Sequence, residues 1–349
     1  DLNFEILKLE SNRKQLAEKI TDLHFSNHPE LEKRYGEKGR LHCYEDALYH
    51  INYLIESLRV ESPDMFEHYL EWSYQMLIAR DIPKEDLLRN LEYFLAAIDH
   101  ILPNSDMSIS KEYINRGQYY LKNLRPKKKH HLTPENPLYQ EPKEYLNLLL
   151  NNKRRQAGEL IDELVKQNVS VSDIYEHIFQ ATQYEIGVLW QRNEISVAHE
   201  HYCTAATQLI MSRLYPLIFS NQKKGHRMVA CSVSNELHEI GIRMIADFFE
   251  MDGWDTYYMG SNMPDNHLIQ AIQENRANLL AISVTLPIHL KKVTQLIKTI
   301  RNMPDMEGLT IMAGGYPFSI IPNLDQKVGA DATALNARNA IQTANQLVR

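Results

Sequence analysis

His238 lies in the run Glu236-Leu237-His238-Glu239-Ile240-Gly241, just after the apolar stretch 227–233. A neutral imidazole is a good ligand for a transition metal, and its second ring nitrogen needs a partner to fix tautomer and basicity. Glu236, two residues earlier, or a hydroxyl such as Ser283 could be that partner. Gly241 lets the following helix approach a bulky ligand closely. A second group stands upstream: Trp190, nine intervening residues, then Glu200-His201. An indole packs flat against a nucleoside, and a carboxylate accepts hydrogen bonds from hydroxyls. Each group alone is weak, since a lone loop histidine usually binds nothing and a bundle tryptophan is usually core. Their order along the chain makes them a pair.

The elements that must position these groups follow from periodicity. Residues 1–123 read as helices: Ala47, Leu48, Ile51, Leu54, Ile55 and Leu58 mark one buried face, and Ser62-Pro63 marks a helix start. Residues 124–142 read as a linker, basic at first and then carrying Pro134, Pro137 and Pro142. Residues 143–222 read as a four-helix bundle, with Ser196 capping the helix that carries Glu200 and His201. Residues 223–349 alternate strand and helix, which implies a doubly wound parallel sheet. The strands are expected at 227–233, 255–258, 279–284 and 309–313. Ligands in such sheets sit beyond the carboxyl ends of the strands. His238, Ser283 and Gly314-Gly315 all fall there. The fold class is therefore α plus α/β.

Composition narrows the field. The chain has 349 residues, 44% hydrophobic and 24% charged, which suits two or three globular domains. A net charge of −7 supplies no basic field for nucleic acid. Cys43, Cys203 and Cys231 are scattered, so neither a disulfide scaffold nor a zinc site is expected, and a cytoplasmic location is. No apolar run approaches the roughly 18 residues of a membrane span. The chain opens on Asp1 rather than Met, as expected of a trimmed or incomplete N-terminus.

Glu236-Leu237-His238-Glu239-Ile240-Gly241 resembles the (Asp/Glu)-x-His-x-x-Gly motif of the cobalamin-binding domain family. Ser283-Val284-Thr285 and Ala313-Gly314-Gly315 resemble that family's two further cofactor motifs. The resemblance covers residues 143–349. It implies a Rossmann-like domain with His238 as lower axial cobalt ligand and Glu236 and Ser283 tuning it. It also implies a slot at Ser283, Thr285, Gly314 and Gly315 for the nucleotide tail. Trp190-x9-Glu200-His201 is similar to the signature of B12-dependent photoreceptors, which implies adenosylcobalamin with its adenosyl group against Trp190 and Glu200. One departure stands beside it: those photoreceptors carry histidine after the tryptophan, and Gln191 is here.

Residues 1–123 lack a basic recognition helix, so DNA binding is not expected. With their Tyr, His and Trp positions they look like the globin-like helical domain of photocobilins. That resemblance implies biliverdin as a second chromophore, with His42, His50, Tyr53 and Trp72 lining its pocket. The expected function is a light sensor, not an enzyme, whose cobalt–carbon photolysis alters bundle packing and the homo-oligomer or a light-dependent partner. The alternatives are a corrinoid methyl carrier of a methyltransferase system, or a light-independent cobalamin sensor.

Overall fold

A computed structural model describes residues 1–125, 129–219 and 222–348, which form two compact units, Asp1–Pro126 and Lys127–Arg349. The chain's Pro126, Lys127 and Lys128, part of the expected linker, lie outside the described residues.

The first unit is all-helical. Among the described residues it holds α1 (Leu2–Asn27), α2 (Pro29–Arg59), α3 (Pro63–Ile78), α4 (Lys84–Ile101) and α5 (Ser108–Asn123). Gly36 (φ 59°) kinks α2, a conformation open to glycine. Pro63 opens α3 as expected, but Ser62 makes no side-chain capping bond. Leu9, Leu16, Ile51, Leu54, Phe66 and Phe94 pack a shared core. Glu5 on α1 ties down the start of α5. Its carboxylate is fully buried and accepts from Ile109 N (3.1 Å), Ser110 N (2.7 Å) and Ser110 Oγ (2.6 Å). These are charge-assisted bonds to a helix N-terminus.

The second unit begins with a strap. Buried Glu185 holds its first residues: Oε1 lies 2.8 Å from His130 Nδ1 and Oε2 accepts His131 N at 2.6 Å. Asn136 Nδ2 donates to the carbonyl of His177 at 2.7 Å. Residues 129–142 therefore lie against the helices that follow, although proline and lysine content alone suggests a loose tether.

Those helices form a cap: α6 (Gln140–Leu150), α7 (Arg154–Lys166), α8 (Ala181–Gln191) and α9 (Val197–Arg213). A π-helical stretch, Ile174–Gln180, runs directly into α8. Ser196 caps α9 as expected, through a capping box closed by His199.

A four-stranded parallel sheet follows, from β1 (Arg227–Ser232), β2 (Asp255–Tyr258), β3 (Leu279–Ser283) and β4 (Thr310–Gly314), in the order β2-β1-β3-β4. The connecting helices are α10 (Ile240–Met251), α11 (Asp265–Glu274) and α12 (Leu290–Arg301), with α13 (Ala337–Leu347) last. Met228, Ala230, Leu279, Ala281 and Met312 face α10 and α13. Alternation turns Val229, Cys231, Leu280 and Ile282 to the opposite face, and all four are buried. Trp254 is completely buried on the first face, and its Nε1 donates to Asn345 Oδ1 at 3.2 Å.

Cap and sheet share a core in which Met244 and Phe248 of α10 join Tyr175, Phe179 and Ile210. Tyr175 donates to Asp247 at 2.7 Å, and Gln208 to Glu239 at 2.9 Å. Because β1 connects outward to β2 on one side and pairs with β3 on the other, the strand order reverses between β1 and β3. That crevice is where ligands bind in open α/β sheets. Among the described residues no helix is long and apolar enough to cross a membrane.

Glu5→Ala is expected to destabilise the α1–α5 contact by about 1.5–3 kcal/mol, the usual worth of hydrogen bonds to a charged group. Hydrogen exchange on the full chain should show roughly ten- to hundredfold faster exchange at α5 amides. Unchanged exchange there would remove Glu5 from its assigned role.

Candidate functional site

The reversal crevice is organised around one carboxylate. Glu236, in the loop after β1, is fully buried. Its Oε1 lies 2.6 Å from Nδ1 of His238 and accepts the His238 backbone N–H at 3.1 Å. Its Oε2 accepts the N–H groups of Thr285 and Leu286, both at 2.9 Å, from the loop after β3. One side chain thus joins the two loops that flank the crevice. Burial alone would raise its pKa, but the bonds from His238, Leu286 and Thr285 hold it down to about 2. The Glu236 hydrogen bond raises the proton affinity of His238; burial opposes this, and the charges of Glu236 and Glu200 add to the rise.

The imidazole is held at one nitrogen and open at the other. The His238 side chain is 57% exposed, and among the described residues no protein group hydrogen-bonds Nε2. An anionic acceptor at Nδ1 favours the Nδ1–H tautomer, which leaves the Nε2 lone pair available to a metal. Of the two partners the residue pattern offered, Glu236 is the one in place. Ser283 stands instead in register between Ser232 and Gly314.

The other sheet-domain residues meet on the same rim. Thr285 reaches the dyad through its backbone N–H. Gly314 closes β4, and a Cβ there or at Gly241 would have nothing within 4 Å. Gly315 (φ 119°) is different, because a Cβ would fall 1.9 Å from the carbonyl oxygen of Val284. Only glycine permits that approach between the β3 and β4 ends.

On the cap, Trp190 is half-buried near the end of α8, and Glu200 is half-buried in the first turn of α9. Glu200 accepts from Thr204 Oγ1 at 3.1 Å and pairs with Nδ1 of exposed His201. Gln208 of the same helix donates to Glu239, the residue after His238, at 2.9 Å, so α9 stands beside the same loop. Leu286 was not singled out in the sequence, because it acts through its backbone and no residue type marks that. The three thiols are half-buried Cys43 and buried Cys203 and Cys231; burial pushes them up to about 11, 11 and 12.

Elsewhere, Asp173, Glu176 and His177 bring ligand atoms within 4.8 Å of one another, but Arg338 already pairs with both carboxylates.

Comparison with known proteins bears on this geometry. Residues 226–344 match a B12 binding domain family, and residues 143–215 match a second B12 binding domain family. The chain is 24% identical over 190 residues to dimethylamine corrinoid protein 1 of Methanosarcina mazei, covering 53% of this chain and 86% of that protein. It is 24% identical over 189 residues to the dimethylamine corrinoid protein of Methanosarcina barkeri, covering 53% and 87%. The solved monomethylamine corrinoid protein of Methanosarcina barkeri has the same fold over 60% of this chain and 98% of its own, with a TM-score of 0.54 and 19% identity. Cap and sheet domain together are a B12-binding region that follows an all-helical one. That the chain is not itself an enzyme agrees with relatives named as corrinoid proteins.

The same relatives overturn the photoreceptor reading. These relatives are dimethylamine corrinoid proteins, so light sensing, a light-dependent partner and specificity for adenosylcobalamin do not carry over. The bilin reading falls with it, and the first unit shows why its residues misled. His50 is buried with Nδ1 2.7 Å from the Tyr69 hydroxyl, and Tyr53 stacks on Tyr69 at 3.8 Å. His42 lies exposed beside Glu45, and Trp72 is 41% exposed. His50 and Tyr53 pack a helix pair against Tyr69, and His42 and Trp72 are exposed, so the four do not line one chromophore cavity.

The Glu236–His238 pair has a defined pH window. Its stabilisation is complete between about 4.5 and 6.5, the ordinary values of the two groups. It is lost on acidification as Glu236 protonates towards about 2, and on alkalinisation as His238 gives up its proton above 6.5. In cofactor-free protein, His238 should titrate above 6.5 by nitrogen-15 NMR and at a lower pH in Glu236→Gln. Identical titrations in the two proteins would dissociate the carboxylate from the imidazole.

Proposed function

We propose that this chain is a corrinoid methyl carrier that serves a separate methyltransferase. The observation that carries the reading is His238, with Nδ1 tied to a buried carboxylate and Nε2 open at the sheet's reversal crevice. The donor set suits cobalt: a neutral imidazole whose partner fixes the metal-binding tautomer. The rim also leaves room, since the positions of Gly241 and Gly314 face open space.

In this reading His238 would hold the cobalt of the corrinoid through Nε2, while Glu236 holds the proton on Nδ1. Ser283, Thr285, Gly314 and Gly315 line the slot for the nucleotide tail, and Gly315 keeps the β3 and β4 ends close. Trp190, Glu200 and His201 belong to the cap side, which shields the corrinoid from water. The bound corrinoid supplies a cobalt that takes a methyl group from a donor and yields it to an acceptor. The names of the relatives point to methylamines as donors. A separate methyltransferase would be the partner that delivers the methyl group.

Wild-type protein loaded with hydroxocobalamin, reduced and mixed with a methylamine and its methyltransferase is expected to develop the absorption of methylcobalamin. His238→Ala should bind cobalamin about ten- to hundredfold more weakly. Tight binding with no methyl uptake from any methylamine would replace the carrier reading by that of a cobalamin sensor.

A further inference from the structure

The loop that carries Glu236 and His238 does not hold itself. The segment after β2 runs on beside β1 and prolongs the β1–β2 ladder to the end of β1. Met259 N donates to Ala230 O (2.8 Å), Ser232 N to Gly260 O (3.0 Å) and Met263 N to Ser232 O (3.3 Å). Asn262 then makes two bonds to the ligand loop. Its backbone N–H donates to the carbonyl of Glu236 at 2.9 Å, and its Oδ1 accepts the N–H of Asn235 at 2.7 Å. Ser232, fully buried at the end of β1, donates its hydroxyl to the carbonyl of His238 at 2.7 Å. The residues on either side of Leu237 are thus both fixed through the main chain.

Two features mark this as positioning rather than packing. Asn262 is exposed, so its side chain fills no core. Both Asn235 (φ 69°) and Asn262 (φ 52°) are left-handed, which asparagine tolerates better than most residues and which the two bonds hold in place. Without them the Glu236 carboxylate would have to find Thr285 and Leu286 from a free loop, at the entropic cost of ordering several residues.

We propose that Asn262 and Ser232 are positioning residues for the cobalt-ligand loop, acting through Glu236 and His238. The inference rests on the carrier reading for its consequence and on the loop geometry for its substance. Asn262→Ala and Ser232→Ala each remove one bond. Asn262→Asp and Ser232→Thr keep an acceptor and a hydroxyl in place.

The experiment uses the full chain in two states. In cofactor-free protein, nitrogen-15 NMR reads the His238 tautomer and hydrogen exchange reads the Asn235 amide. In nitrogen-15-labelled protein loaded with hydroxocobalamin and reduced by one electron to cobalt(II), electron paramagnetic resonance reads the fraction with a protein nitrogen on cobalt. The alanine variants are expected to lose the Nδ1–H signature of His238 and to bind cobalamin about ten- to hundredfold more weakly. Asn262→Ala should also speed exchange at Asn235 at least about tenfold. The Asp and Thr variants should restore both signatures. Folded alanine variants with the wild-type imidazole spectrum would overturn the proposal. If wild-type protein binds no cobalamin, the carrier reading fails on its own, and the imidazole spectrum still decides the clamp.

Discussion

A buried negative charge is costly unless hydrogen bonds surround it, and Glu236 has them from two loops. That requirement orders the rest of the second unit. The loop after β1 must meet the loop after β3, so the two strands must be neighbours with their carboxyl ends level. The register Ser232–Ser283–Gly314 provides this. Gly315 must lack a side chain for β4 to close against Val284. The carboxylate then leaves one imidazole nitrogen occupied and the other free. Strand order, register and glycine placement are the means by which one tautomer is selected at one edge of a sheet.

The sheet domain was legible because its signals are local. Short β-rich runs separated by amphipathic stretches can form little else, and the Glu-x-His spacing places donor and acceptor in one turn. Ser196 was legible as a cap for the same reason. What escaped acts over distance or through the main chain. α13 was missed because its buried positions are Ala337, Ala340 and Ala344, which are too small to mark a hydrophobic stripe. The N–H groups of Thr285 and Leu286 meet Glu236 from about fifty residues away, and no side chain advertises them. The functional error has a similar cause. An indole and a carboxylate such as Trp190 and Glu200 suit many kinds of ligand, and two residues cannot choose between them. In the first unit, an interior of tyrosine and histidine resembles a pigment pocket in composition while its rings are engaged with one another.

The strap shows how a buried charge can override composition. Residues 124–142 contain the basic and proline content of a spacer. Yet Glu185 is buried on α8 and needs partners, and His130 and His131 supply them. Arg192, just past the end of α8, also donates to the carbonyl of Lys129. The same helix carries Trp190, so the strap and that residue share one support. A shift in the last turns of α8 would be felt at the strap, because releasing it would strand the Glu185 carboxylate.

The thiols bear on chemical self-protection. A thiolate is a strong nucleophile toward alkyl donors, so a protein that handled a methyl group would be at risk from its own thiols. Cys231 sits one residue before Ser232, close to the ligand loop, and burial pushes its thiol up to about 12. Cys43 and Cys203 are held at about 11. All three are therefore disfavoured as thiolates at neutral pH, which lowers their reactivity toward any alkyl donor. The burial that packs these three side chains is also what keeps them from acting as nucleophiles.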